Sequence, residues 1–446
     1  MSFTPPWQGP DEPQHYDYIH YLQTEKALPV LGKTKLCNQT LKTLNNMNFY
    51  EYAQNGKSPY ISGNKIKPES RNENTEHKVS STQLKNATDT AQMNQIAQHP
   101  PLYYILGAIL LWPFKNSSVL THIFVLRMAN ALLGLGIVTL TFLTVTLIFE
   151  KNRFAALSAS AFVALNPMFM HISTLANNDG LNNFLLMLFL YLLVLSIKKG
   201  LDTKKAIVIG AVIGANLLTK FFAILALPIF FISIIAFRDS FKKSKEVIIS
   251  LVIPLFLAGP YYIRNITLYK TIQPNYKFSV LTHNTFKNMS FTQYLFTSDF
   301  VKKLYISFWS NFGWIKPRYT VVYYQILNNV VILASIGFVI YLIKLFLKKE
   351  MFTFKTLCLF VSSFAILLSG IALNSYMGAK TTGIVEGVQG RYLFCLIGII
   401  GLLIYLGLRQ LLGTKQDYLA FVVLTIGIIV LDLSAIFYYI LPYYYF

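Results

Sequence analysis

The sequence predicts an all-α protein that crosses a membrane many times. Of its 446 residues, 54% are hydrophobic and only 13% are charged, and the mean hydropathy is +0.47. An ordinary soluble domain is far less apolar. Apolar runs of bilayer-spanning length recur through most of the chain, so we expect a bundle of about ten transmembrane helices.

The excess of basic residues follows the membrane pattern. The formal net charge is +20, but Lys and Arg gather in short loops between apolar runs, as membrane topology predicts. We therefore expect contacts with membrane lipid and none with nucleic acid. The three cysteines, Cys37, Cys358 and Cys395, give neither a disulfide framework nor a metal-binding spacing.

The N-terminal segment carries polar chemistry before any long apolar run. Gly9-Pro10-Asp11-Glu12-Pro13-Gln14-His15-Tyr16 places two carboxylates and an imidazole side by side. Pro13 opens a stretch, 13–25, that we interpret as an interfacial helix. The two acids then lie at its positive end, either as simple helix caps or as catalytic groups.

Two further segments complete an outer region, residues 1–118. Residues 37–98 are rich in Asn, Lys, Thr, Ser and Gln, so they form a low-complexity insertion that cannot fold alone. Residues 102–114 are apolar but short for a full crossing, so we expect a re-entrant or juxtamembrane helix. The transmembrane bundle then occupies 119–446 and includes a long outer loop, 265–319.

The bundle follows from the apolar runs taken in order. The run 206–237 is too long for one crossing and is interrupted by Lys220, so we expect two short passes that meet at Thr219–Lys220. The other predicted spans lie within 119–149, 154–173, 181–197, 247–263, 321–343, 356–373, 392–408 and 418–441.

The basic loops set the predicted orientation. They are 150–153, 198–205, 238–245, 344–355 and 409–415. They alternate so that all lie on one side, which the positive-inside rule makes cytoplasmic. The N-terminal region then lies outside, and carrying it across requires a signal or a preceding span. Either the natural chain begins upstream of Met1 or its first span has been lost, and we favour the first.

Few acidic residues fall on the predicted outer face beyond the N-terminal region. The acids beyond the N-terminal region are Asp179, Asp299 and Glu386, with Asp432 inside the last span. Arg264 and Arg391 each flank an outer helix end, and Lys220 lies at the predicted helix break. These cations could bind a lipid phosphate, or they could simply anchor helices at the interface.

Taken in order, the motifs resemble those of the GT-C membrane glycosyltransferases, in particular the protein-mannosyltransferase and aminoarabinose-transferase type. The resemblance spans nearly the whole chain. After the Gly9–Tyr16 motif it rests on His99-Pro100-Pro101-Leu102-Tyr103-Tyr104, Asn177-Asn178-Asp179, Leu218-Thr219-Lys220-Phe221, Tyr261-Tyr262-Ile263-Arg264-Asn265 and Gln389-Gly390-Arg391-Tyr392.

The resemblance implies the transfer of a sugar from a polyprenyl- or dolichyl-phosphate donor to an acceptor hydroxyl on the outer or luminal face. The membrane is then a plasma, inner or endoplasmic-reticulum membrane. The implied catalytic residues are Asp11 as general base and Glu12, which orients the acceptor or assists a divalent metal. His15, Asn178 and Asp179 are expected to line the site. Expected to bind the donor phosphate are His99, Lys220, Arg264 and Arg391.

Two other function classes remain open. An inactive subunit that binds a lipid-linked sugar would keep the fold without the chemistry, but the retained Asp11-Glu12 pair favours an enzyme. A lipid or solute transporter would also need many spans and buried charge, yet it predicts inverted repeats. The break at Lys220 has no counterpart elsewhere in the sequence.

Overall fold

The computed structural model describes residues 4–46, 93–275, 286, 288–313, 317–383, 385, 387–413 and 416–445. Within these residues the protein is helical and contains no strand beyond one isolated bridge, between Lys35 and Met93. Most of the predicted insertion 37–98 lies outside the described residues; its described part includes the short helix Asn38–Asn46.

The helices follow the chain in this order: α1 Glu12–Glu25, α2 Asn38–Asn46, α3 Leu102–Leu111, α4 Val119–Ile148, α5 Arg153–Leu165, α6 Pro167–Ser173, α7 Asp179–Lys199, α8 Thr203–Leu217, α9 Ala226–Ala236, α10 Ser244–Tyr269, α11 Phe291–Thr297, α12 Phe300–Trp309, α13 Val321–Leu347, α14 Met351–Thr382, α15 Ile397–Leu412, α16 Asp417–Ser434 and α17 Leu441–Tyr445. Short 3₁₀ segments include 95–98, 112–114, 221–225 and 390–396.

The multi-pass membrane class is confirmed. Among the described residues, seven helices are long and apolar enough to cross a bilayer, and α5 with α6 makes an eighth if that bent pair is one span. The predicted count of about ten is reached only if the short helices α8 and α9 are added. A helix is present at the position of the predicted juxtamembrane helix, as α3 with the 3₁₀ turn that follows it.

The bend between α5 and α6 has a local cause. Pro167 occupies the first turn of α6, and the side chain of Asn166 accepts a hydrogen bond from the backbone N–H of Phe169 at 2.9 Å. A proline in this position and an Asn cap begin a new helix and end the preceding one. The two helices meet at 62°, which directs the following loop, 174–178, towards the N-terminal segment.

The predicted break at Lys220 is also present, and its free backbone carbonyls are satisfied. The carbonyl of Leu217 accepts from the hydroxyl of Tyr262 (2.8 Å), and that of Leu218 accepts from the backbone N–H of Leu102 (2.9 Å). The carbonyl of Thr219 accepts from the amide of Asn178 (3.2 Å). Since an unpaired carbonyl is costly inside an apolar bundle, these three donors make the break tolerable.

Helices α13 and α15 cross at two glycines. A Cβ added to Gly407 would lie 1.8 Å from the carbonyl oxygen of Ala334, and one added to Gly337 would lie 2.1 Å from the carbonyl oxygen of Gly407. The two backbones can approach this closely only because neither position carries a side chain.

Several of the predicted cytoplasmic loops lie together at one end of the bundle. Lys198 is ion-paired with Glu150, and the Asn152 amide donates to Asp417 at 2.9 Å. Asp179 begins α7 and Lys199 ends it. A helix of that length places its ends about 30 Å apart, so the first turn of α7 lies at the other end of the bundle.

Candidate active site

Three charged side chains from distant parts of the chain meet at the start of α7. Asp179 is 4% exposed; one of its oxygens is ion-paired with Lys220, and the other lies 3.4 Å from Nε of Arg391. Lys220 comes from the break between α8 and α9, and Arg391 comes from the 3₁₀ segment before α15. Thus three predicted site residues are brought together.

Asp11 joins this cluster through Arg391. Its Oδ2 lies 3.5 Å from Nη2 of Arg391, and its side chain is 36% exposed. Asp11 precedes α1 with φ of 61°, and its carboxylate does not cap the helix. Asp is one of the few residues that tolerate this left-handed conformation. The Asp11 carboxylate therefore does not serve as a helix cap, and its ion-pair contact is with Arg391.

Glu12 occupies a different environment. It is fully buried. Arg127 donates two hydrogen bonds to its carboxylate, from Nε to Oε1 at 2.8 Å and from Nη2 to Oε2 at 2.7 Å. The backbone N–H groups of Trp7 and Ala176 donate to the same carboxylate at 3.0 and 3.1 Å. Glu12 thus ties the N-terminal segment to α4 and to the loop before α7.

His15 and His99 lie together as neutral rings. Their ring centroids are 6.2 Å apart, and the two ring planes are nearly parallel. Nδ1 of His15 and the hydroxyl of Tyr104 form a 2.9 Å hydrogen bond. Burial, and secondarily the positive charge of Lys220, lowers the pKa of His99 to about 3. Burial also lowers the pKa of His15 well below its usual value. His99 therefore carries no positive charge near neutral pH.

Asparagines hold the loop before α7. The Asn177 side chain accepts from the backbone N–H of Asp179 at 3.0 Å, and the Asn178 amide donates to the carbonyl of Thr219. Asn130 of α4 donates to the carbonyl of Asn177 at 2.9 Å. The predicted site residue Asn178 therefore fastens the start of α7 to the helix break that carries Lys220.

Tyr392 and Gly390 position the two cations. Nζ of Lys220 lies 4.7 Å, and Cζ of Arg391 5.8 Å, from the centroid of the Tyr392 ring, so both charges contact the same aromatic ring. Gly390 packs against α12: a Cβ there would lie 2.1 Å from the backbone nitrogen of Phe308. Its N–H donates to the hydroxyl of Ser307 at 2.8 Å.

Arg264 is not part of this cluster. Its Nη2 donates to the carbonyl of Pro29 at 3.2 Å, and no ion pair within the described ranges includes it. The structure thus places this predicted phosphate ligand against the segment after α1. No group of three or more His, Cys, Asp or Glu in the described part of the chain could hold a metal ion.

A cavity adjoins the Asp179–Lys220 pair between α7, α8, α9 and α14. It runs past Asn182, Asn183 and Asn216 and is otherwise bounded mainly by aliphatic and aromatic side chains. The cavity therefore continues the charged site into the bundle.

Two contributors were not identified as site residues from the sequence. Arg127 is a single cation inside the apolar run 119–149, and such an isolated charge was a usable signal, since a span tolerates one only with a partner. Tyr392 adjoins a predicted ligand, but no local pattern distinguishes it from the many other tyrosines. Its role depends on the fold that brings Lys220 to it.

Comparison with solved structures finds similarity to two proteins at low sequence identity. ArnT from Cupriavidus metallidurans, bound to undecaprenyl phosphate, is 12% identical with a TM-score of 0.49, over 98% of this chain and 70% of that one. The archaeal oligosaccharyltransferase AglB from Archaeoglobus fulgidus, in complex with an inhibitory peptide and a dolichol-phosphate, is 15% identical with a TM-score of 0.44. That match covers 78% of this chain and 47% of the other, so this chain spans about half the length of AglB.

At these identities and TM-scores the likenesses assign no role to any residue. None of the curated proteins compared with the chain matches it significantly. The family described as "Predicted membrane protein (DUF2142)" matches residues 1–400. Because that match covers most of the 446 residues, the chain belongs to this family of membrane proteins.

Proposed function

We propose that this protein is a membrane glycosyltransferase that moves a sugar from a polyprenyl- or dolichyl-phosphate donor to an acceptor hydroxyl, on the outer or luminal face. The observation that carries the proposal is the convergence of Asp11, Asp179, Lys220 and Arg391 at one end of the bundle. The ordered motifs that resemble the GT-C glycosyltransferases contain all four residues and supply the donor class.

The cations suit a donor phosphate. The guanidinium of Arg391 is 8% exposed, its Nε forms no hydrogen bond within the described residues, and its contacts to Asp11 and Asp179 are 3.5 and 3.4 Å. Charge-assisted hydrogen bonds are normally about 2.7 to 2.9 Å. These long contacts leave guanidinium donors for phosphate oxygens, and Lys220 adds a second positive charge beside them.

Asp11 suits the general base. In the proposed step the acceptor oxygen attacks the anomeric carbon, and its proton passes to the Asp11 carboxylate. The bond from that carbon to the phosphate oxygen breaks, and its electron pair leaves on the phosphate, where Arg391 and Lys220 stabilise the charge. The 36% exposure of Asp11 leaves it accessible to an acceptor.

The remaining predicted residues take supporting roles. Glu12 already accepts four hydrogen bonds, so we assign it to positioning Asp11. Asp179 holds both cations in place, and Asn178 holds the loop before it. His15 and His99 line the site as neutral groups. The contact of Arg264 with Pro29 limits that residue to the edge of the proposed site.

The test is transfer of a radiolabelled sugar by membranes that contain the full-length protein, from a panel of polyprenyl-phosphate and dolichyl-phosphate sugars. Asp11→Asn should lower transfer at least a hundredfold, since a general base typically contributes that much. Asparagine also tolerates the left-handed conformation, so the backbone is preserved.

Asp299→Asn is the matched control. Asp299 also precedes a helix with φ of 55° and without a side-chain cap, but it is exposed and belongs to no ion pair in the described part of the chain. It should retain transfer. If the wild-type protein binds a donor but transfers from none, catalysis is refuted and the inactive binding subunit is favoured. Movement of solute or lipid across the membrane without transfer would favour a transporter.

A further inference from the structure

A positively charged patch lies at the end of α1 that is remote from Asp11. Lys26 directly follows this helix, and Lys33 lies in the turn after it. Arg264 belongs to the last two turns of α10, and Lys270 directly follows that helix. The three lysines are exposed and Arg264 is half-buried. We call these four residues the basic patch.

Two hydrogen bonds hold the parts of the basic patch together. Nη2 of Arg264 donates to the carbonyl of Pro29 at 3.2 Å, and the backbone N–H of Leu31 donates to the hydroxyl of Tyr269 at 3.0 Å. The segment that follows α1 therefore lies against the end of α10. The Arg264 guanidinium forms no other hydrogen bond within the described residues, so most of its N–H donors face no protein acceptor.

Protein carboxylates do not balance the charge of the basic patch. Glu25 is the only acidic residue in the segments 18–44 and 260–270. No ion pair in the described part of the chain includes a residue of the patch. Basic residues normally concentrate at the cytoplasmic end of a membrane protein, but α10 begins in the predicted cytoplasmic loop 238–245 and ends at the patch. This uncompensated charge favours an anionic ligand.

Two structural roles account for only part of the basic patch. A cation that directly follows a helix is stabilised by the helix dipole, which applies to Lys26 and Lys270. A cation near the end of a membrane span can reach lipid head groups, which applies to Arg264 and Lys270. Neither role applies to Lys33, and neither requires the four residues to be brought together.

The distance from the basic patch to Asp11 restricts the ligand. Asp11 and Lys26 lie at opposite ends of α1, whose 14 residues correspond to a length of about 20 Å. An acceptor that places a hydroxyl at Asp11 and an anionic group at the patch must reach across that distance. A phospholipid head group is shorter, whereas a polymer with a charge on every repeating unit can reach both points.

We propose that the basic patch binds the acceptor, and that this acceptor is an extended polymer with repeated phosphate or carboxylate groups. The proposal rests on the proposed function, since it takes Asp11 as the base that receives the proton of the acceptor hydroxyl. Arg264 supplies a planar fork that binds two oxygens of one anionic group, and the three lysines add positive charge around it.

The test measures dissociation constants of the purified full-length protein, in a neutral detergent, for fluorescent poly(glycerol phosphate), polygalacturonate and uncharged dextran of similar length. The wild-type protein should bind at least one polyanion tenfold more tightly than dextran, and the tighter polyanion distinguishes phosphate from carboxylate. Lys33→Gln combined with Arg264→Gln should lower that affinity about tenfold, because two exposed charge contacts are lost. Lys33→Arg combined with Arg264→Lys keeps both charges and should retain most of the affinity.

Arg238→Gln combined with Lys243→Gln is the matched control. It removes the same two charges from an exposed segment at the other end of the bundle, so it should leave polymer affinity unchanged. Equal losses in the two glutamine variants would show attraction to the overall charge and would overturn the basic patch as a site. If the patch substitutions reduce the phosphatidylglycerol retained by the purified protein but not its polymer affinity, the patch binds lipid and the proposal is wrong.

Transfer assays separate this inference from the proposed function. With an active donor and the bound polymer as acceptor, the patch substitutions should raise KM for the polymer and leave kcat unchanged, because they are remote from Asp11. An unchanged KM would overturn the acceptor role of the patch while transfer itself persisted. Polymer binding without transfer from any donor would refute the proposed function and, with it, the acceptor role.

Discussion

Arg391 contacts Asp11: Nη2 of the arginine lies 3.5 Å from Oδ2 of the aspartate. This contact joins the N-terminal segment to the segment before α15, 380 residues later in the chain. It also sets the proposed base beside a cation that we assign to the donor phosphate. The position of one group therefore depends on the other.

Replacing Arg391 by lysine should weaken donor binding without abolishing the fold. Lysine keeps the positive charge but lacks the planar fork that can bind two oxygens at once. We expect KM for the donor to rise about tenfold, as for the loss of one hydrogen bond to a charged group. Arg409→Lys, at the Asp417 ion pair near the other end of the bundle, should leave KM unchanged. An equal rise in KM for both variants would contradict the assignment of Arg391 to the donor phosphate.

The Glu12–Arg127 pair should be essential for stability. Glu12→Gln leaves a partly buried guanidinium without its counter-charge, which typically costs about 3 kcal/mol or more. We expect a clear fall in the thermal unfolding temperature of the detergent-solubilised protein. Glu150→Gln breaks the exposed Lys198 pair instead and should have little effect, because surface ion pairs contribute little. An unchanged unfolding temperature in Glu12→Gln would show that the buried pair does not secure the N-terminal segment.

Gly390→Ala should disturb catalysis through its neighbour. The new Cβ would overlap the backbone of Phe308, so the 3₁₀ segment must move and carry Arg391 with it. We expect transfer to fall at least tenfold, since small displacements of a positioned group have large effects on rate. Gly427→Ala in α16 meets no atom within 4 Å and should retain activity. Normal transfer by Gly390→Ala would show that the position of Arg391 does not depend on the close packing of Gly390 against Phe308.

The crossing of α13 and α15 should tolerate no side chain at Gly407. Gly407→Ala places a methyl group 1.8 Å from the carbonyl oxygen of Ala334, so the helices must separate. We expect a lower unfolding temperature, with a cost of about 1 to 3 kcal/mol typical of overpacking. Gly259→Ala in α10, which meets nothing within 4 Å, serves as the control. A similar result for both variants would contradict the close approach.

Mild acid should destabilise the protein partly through His99. Its pKa falls from 6.5 to about 3 on folding, so between those values the unfolded chain binds more protons than the folded protein. The contribution of neutral His99 to the free energy of unfolding is therefore fully present above pH 6.5 and is lost as the pH falls towards 3. Unfolding temperatures measured between pH 7.5 and 4.5 should decline less steeply in His99→Gln. If the unfolding temperatures of the wild type and of His99→Gln decline equally with pH, His99 does not contribute to the acid sensitivity.

The fold was largely predictable because membrane helices are specified locally. Continuous apolar runs gave the spans, and one lysine inside a run was enough to place the break before α9. The site was less predictable because its contacts are long-range. Composition identified Asp179 and Lys220 as candidates, but nothing local showed that they pair. Glu12 was among the predicted catalytic residues, and nothing local showed that Arg127, 115 residues away, binds its carboxylate.

The break at Lys220 places one unusual restriction on the sequence. Of the three donors that reach its carbonyls, Tyr262 and Asn178 act through side chains, whereas Leu102 acts through its backbone N–H. Replacement of Leu102 by almost any amino acid therefore leaves this bond in place. Proline is the exception because it has no N–H, so a third consecutive proline after Pro100 and Pro101 would remove this hydrogen bond between α3 and the helix break.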